Sequence, residues 1–150
     1  MATSLQKIIT ELKTTALLPI VGIKFVSEKR LNLNSNADTT LPKLFIKLDF
    51  YDYNKFLVNA AEETYNLELI FINKHSENPI IDLKTIIDQF LNGLFNNNDL
   101  FGKLAQGNKI KLQRCDMSND QEEYSKFGGE YASLKMQINN TNSFDSNSCL

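Results

Sequence analysis

Apolar residues recur along this chain first at helical and then at strand spacing, and each change of period marks an element. Leu5, Ile8, Ile9 and Leu12 fall at i, i+3, i+4 and i+7 behind Thr3 and Gln6, which can form a capping box; a first helix with one packed face follows. Pro19 ends that period. Val21, Ile23 and Phe25 then alternate with Ile20, Gly22 and Lys24, which predicts a first strand over 20–26. Residues 27–41 are polar and rich in Asn, Ser and Thr, a long loop or ragged hairpin of a length that compact domains usually reserve for function or disorder.

After Pro42, Leu44, Ile46, Leu48 and Phe50 form one apolar face with Lys47 and Asp49 on the other, a strand whose opening proline costs no ladder hydrogen bond. "YDYNKFLVNAAEETYN" fits neither period and reads as a connection able to extend the flanking strands as a hairpin. Residues 67–73, "LELIFIN", are apolar on both faces, as in a central strand covered on both sides. A second helix starts behind Ser76 or Asn78, with Pro79 at its first position and Asp82 at its positive dipole end. Leu83, Ile86, Ile87, Phe90, Leu91 and Leu94 make a stripe broad enough to lie across a sheet, and Gly93 and Asn96 to Asn98 close it. "DLFGKLA" adds a short helical turn. A weak strand over 110–114, a polar loop over 115–129 and a strictly alternating strand over 131–138 complete the order α, β, β, β, α, β, β.

That order predicts an α+β domain: a mainly antiparallel sheet with an N-terminal helix and one long helix packed across a face. One domain is expected over 1–140, with 141–150 a polar, disordered C-terminal tail.

Composition narrows the partners more than the fold. The 150 residues carry a formal charge of -2, which argues against a dedicated nucleic-acid binder. The longest apolar runs fall short of the roughly 20 residues that span a bilayer, and charged Lys7, Glu11 and Lys13 interrupt the N-terminus, so a cytosolic chain is expected. Cys115 and Cys149 are too few for a disulfide framework and read as reduced thiols.

No catalytic, metal or cofactor constellation stands out. His75 is the single histidine, and a pairing with Cys115 lacks any local signature. Asp116, Asp120, Glu122 and Glu123 form an acidic loop without calcium-loop spacing. Gly128 and Gly129 precede a strand instead of opening a helix, which fits a hinge re-entering the sheet better than a phosphate cradle. Lys24, Lys29, Arg30 and Lys43 thread the first long loop, as a solvated strand end or a partner-facing surface.

The arrangement as a whole resembles the bacteriophage tail terminator proteins, the tail completion, neck or minor tail family. The resemblance rests on an N-terminal helix, the "LPKLFIKLDF" strand, "TYNLELIFIN" leading through "NPIID" into one long helix, and "IKLQRCDMSNDQEEYSKFGGEYASLKMQI" at the end. It implies a non-catalytic virion protein that forms a homo-oligomeric ring. Such a ring terminates the tail tube or joins portal or connector to tail tube or hub, with genomic DNA passing through it and no sequence-specific binding. Host cytoplasm during assembly and the virion afterwards are the implied locations. The alternative is a small monomeric protein-binding module, an inhibitor or assembly factor.

A closed ring repeats one heterologous contact, so each subunit needs two different faces. The loops 27–41 and 115–129 are the expected contact segments, mobile in the free subunit and ordered on assembly. Lys29, Arg30, Arg114, Asp116, Glu122, Glu123, Tyr124, Phe127, Gly128 and Gly129 are the candidate interface residues.

Overall fold

The computed structural model describes residues 4–28, 42–74, 76–117 and 129–143. Its elements are α1 (Ser4–Ala16), β1 (Phe25–Ser27), β2 (Lys43–Leu57), β3 (Ala60–Lys74), α2 (Pro79–Asn97), α3 (Asp99–Gln106), β4 (Ile110–Asp116) and β5 (Gly129–Ser143). The strands form one sheet in the order β1-β2-β3-β5-β4, antiparallel at every junction but the parallel pairing of β1 with β2. The expected α+β class therefore holds.

Several boundaries differ from expectation, each for a local reason. The first strand is shorter and later than residues 20–26, because the chain leaves α1 through a tight turn. In that turn Val21 N and Gly22 N both donate to Leu18 O, at 3.0 and 3.3 Å, and Gly22 sits at φ +80. Val21 and Ile23 consequently plug the core instead of lining a ladder. Gly93, expected at the end of the second helix, lies buried inside α2. A Cβ there would stand 3.3 Å from Thr15 Cγ2, so the glycine lets α1 and α2 approach closely. The helix runs on to Asn97.

Neither β2 nor β3 stops where the apolar alternation fades. They run in register from Lys43↔Ile72 to Leu57↔Ala60 around Val58 and Asn59, forming one long hairpin. Irregularities between Leu48 and Phe50 and between Tyr53 and Lys55 each insert a residue into β2. Every such bulge flips the phase of alternation, which is why that stretch matched no single period. β5 extends past Ile138, and past the expected domain limit at 140, to pair Ser143 with Ala60.

Around Asn78 the side chain makes no cap hydrogen bond to α2. The short turn beyond α2 is instead a capped helix, α3: Asn98 Oδ1 accepts from Phe101 N at 3.1 Å, while its Nδ2 donates to Glu11 Oε2 at 2.6 Å and ties α3 to α1.

One core joins the three helices to one face of the sheet. Ile8, Leu12, Leu83, Phe90, Leu94 and Phe101 meet Leu44, Tyr65, Leu67, Leu69, Phe71 and Met136 there, and Phe71 and Phe90 contact edge to face at 5.5 Å. On the opposite face, Phe45 and Ile72 form a smaller cluster with Ile70 and Tyr131. The central strand thus buries both faces, as its apolar run predicts, but unequally.

Candidate functional site

Long strands and short helices leave part of the sheet without a helical cover. The distal half of the β2–β3 hairpin, flanked by β5 as far as Ser143, forms an arm on which three large side chains meet solvent: Tyr53 is 50% exposed, Phe56 69% and Val58 98%. Register assigns the faces. Tyr51 pairs with Tyr65, Tyr53 with Glu63 and Phe56 with Ala61, so these aromatics share the face that the helices cover further along. They form a continuous stripe, with Tyr51 edge-on to Tyr53 at 5.4 Å and Tyr53 stacked on Phe56 at 5.3 Å. Phe50, paired with Asn66, points to the other face with Asp52 and Lys55.

The root of the arm is stiffened by polar contacts. The Tyr65 hydroxyl donates to the Glu63 carboxylate, and burial first, then that carboxylate, pushes the Tyr65 pKa well above its ordinary value. Across three strands, Asn54 Nδ2 donates to Thr64 Oγ1 at 2.5 Å and Thr64 Oγ1 to Asn139 Oδ1 at 2.6 Å. Beside this chain lies a cleft of about 210 Å³ lined by Asn54, Glu62, Glu63, Lys109, Asn139, Asn140 and Thr141. It is smaller than the roughly 300–1,000 Å³ of ordinary small-molecule sites.

The sheet has two unlike edges. β1 pairs with only Lys43, Leu44 and Phe45, so among the described residues no strand lies along the outer side of 46–57. At the far side β4 pairs inward with β5, and no described strand covers its outer side. β4 is exposed over most of its length, including Leu112 at 40%. Unpaired strand edges of this kind can accept another strand.

Of the expected interface residues, Arg114 and Asp116 lie on β4, joined by an ion pair at 2.9 Å, and Gly129 opens β5 opposite Lys74. Lys29, Arg30, Glu122, Glu123, Tyr124, Phe127 and Gly128, with most of the two expected contact loops, lie outside the described residues, as do His75 and Cys149. Lys43, expected on a solvated or partner-facing strand end, is buried at 2% exposure with its ammonium over the Phe25 ring at 5.6 Å. Cys115 is exposed on β4. Its thiol pKa is raised, first by partial desolvation and then by the Asp116 carboxylate, with Lys84 opposing, which disfavours the reactive thiolate.

Missing from the expected set are the arm aromatics. Phe50, Tyr51, Tyr53 and Phe56 within "FYDYNKF" carry strong β preference, and that composition is the signal that points to them once the bulges are recognised. Among the described residues no group of three or more His, Cys, Asp or Glu side chains is placed to hold a metal ion, and no helix is long and apolar enough to cross a membrane. No protein-family model matches the chain, and no curated protein matches it significantly.

Proposed function

We propose that this protein is a structural component of a tailed-bacteriophage particle, assembling with copies of itself into a ring in the neck or tail. The ring ends the tail tube or joins portal or connector to the tail, and the subunit acts by shape and contact instead of catalysis. The virion role draws on the arrangement of elements in the sequence. Self-assembly draws on one observation above the others: a single small domain presents two different sheet edges, one carrying an aromatic arm. A heterologous contact requires such a pair of unlike faces.

The test is in two parts. Purified protein is expected to give a discrete multimer by native mass measurement and an annulus by negative-stain microscopy. Purified particles of the parent phage are expected to contain it, and particles lacking it to have unjoined heads and tails. Particles that assemble normally without the protein would sink the virion role. A chain that stays monomeric and binds an extended peptide along β2 would favour the second reading, a protein-binding module, which draws on the same open edge.

A further inference from the structure

We infer that the outer edge of β2 is the docking strand for β4 of a second copy, so that the sheet continues from one subunit into the next. This names the contact within the self-assembly reading above and rests on it.

Three observations converge. The first is direction. β2 is antiparallel to β3, β3 to β5 and β5 to β4, so β4 runs opposite to β2. A rotation that preserves strand direction therefore brings a neighbour's β4 antiparallel to the open side of β2. The second is length: between the two bulges of β2, residues 50–53 are regular, and residues 110–112 of β4 are regular before its own irregularity. The third is chemistry, face by face. On the helix-covered side β2 offers Tyr51 and Tyr53, while Ile110 and Leu112 occupy that side of β4 through their pairing with Ile138 and Met136. On the opposite side β2 offers Asp52 and, beyond its second bulge, Lys55, while β4 offers Lys111, Arg114 and the Asp116 ion-paired to it, which pair with Gln137, Lys135 and Ser133. Aromatic meets aliphatic on one face and carboxylate meets cation on the other, with Asp52 set against Lys111.

An arm edge joined to a second arm edge in a register centred on Asp52 would bring that carboxylate near its own copy, and two β4 edges in a register centred between Lys111 and Arg114 would bring those cations together. Like charges placed opposite each other disfavour symmetric pairings in those registers. The proposed contact is head-to-tail.

Sedimentation of the wild type against Asp52→Lys and Lys111→Glu tests this, with circular dichroism confirming that each variant folds. Each reversal alone is expected to weaken self-association about tenfold or more. An equimolar mixture of the two is expected to restore it, because alternating copies meet native or swapped pairs at every junction. Hydrogen exchange on the wild type needs no variant: amides within 46–57 and 110–116 are expected to gain protection on assembly. Assembly that survives both reversals, or protection confined elsewhere, overturns these edges and leaves the ring standing. Loss with Asp52→Lys but not with Lys111→Glu overturns the head-to-tail pairing. A wild type that stays monomeric overturns both the pairing and the ring.

Discussion

Gly22 and Gly93 show how the same residue type serves two different physical needs. At Gly22 the backbone has φ +80 and nothing lies within 4 Å of where a Cβ would stand, so the cost of a side chain is conformational. Gly22→Ala should lower stability by about 1–2 kcal/mol in urea denaturation, the left-handed penalty, and Gly22→Asn should cost less because Asn tolerates that region. At Gly93 the cost is steric. Gly93→Val would press on Thr15, which is 2% exposed, and should cost about 1–3 kcal/mol as overpacking. Equal losses for Gly22→Ala and Gly22→Asn would refute the first account, and a stable Gly93→Val the second. Tyr65 adds a pH dependence with a definite sign. Its folded pKa lies above the ordinary value of 10.0, so the folded state holds the phenolic proton where the unfolded chain releases it. That contribution is complete below pH 10 and is lost as pH rises further. Chemical denaturation across the alkaline range should therefore show a shallower decline for Tyr65→Phe than for the wild type.

The arm separates local stability from assembly at the level of elements. Thr141, Asn142 and Ser143 pair with Glu62, Ala61 and Ala60, and they are the only part of 141–150 within the described sheet. Truncation after Asn140 should leave the core intact while amides of residues 60–62 exchange faster, since those ladder bonds are lost; unchanged exchange would show that the arm does not depend on β5. The aromatic stripe makes a different prediction. Tyr53→Ser with Phe56→Ser removes exposed side chains, so thermal stability should change little, yet self-association should fall. Both hairpin strands, both large helices and the closing strand were legible from periodicity. What was not legible has physical causes that can be named: bulges in β2 broke the pattern of the arm, and a buried glycine at a helix crossing looks in sequence like a helix terminator. Arg114 was expected on a strand and lies on β4, whereas Asp116, expected in the polar loop over 115–129, also lies on β4; the arm residues proposed to meet that edge were hidden by the bulges.

Across the whole molecule, charge acts on assembly in two opposite ways. Each copy carries a formal charge of -2, so copies repel one another weakly at long range, and added salt would relieve that repulsion. The proposed junction sets Asp52 against Lys111 at short range, and added salt would weaken it. The sign of the salt dependence therefore reports which contribution dominates. Because the Debye length shrinks from about 10 Å at 0.1 M to about 3 Å at 1 M, and contacts at a strand edge remain partly solvated, the local pair should prevail. Self-association of the wild type should fall as salt rises over that range. The Tyr53→Ser, Phe56→Ser variant should assemble more weakly at every salt concentration while keeping the same slope, since its apolar loss is not screened. The Asp52→Lys variant should show the opposite slope, with salt now relieving repulsion between the introduced lysine and Lys111. Identical slopes for the wild type and Asp52→Lys would place Asp52 outside the junction.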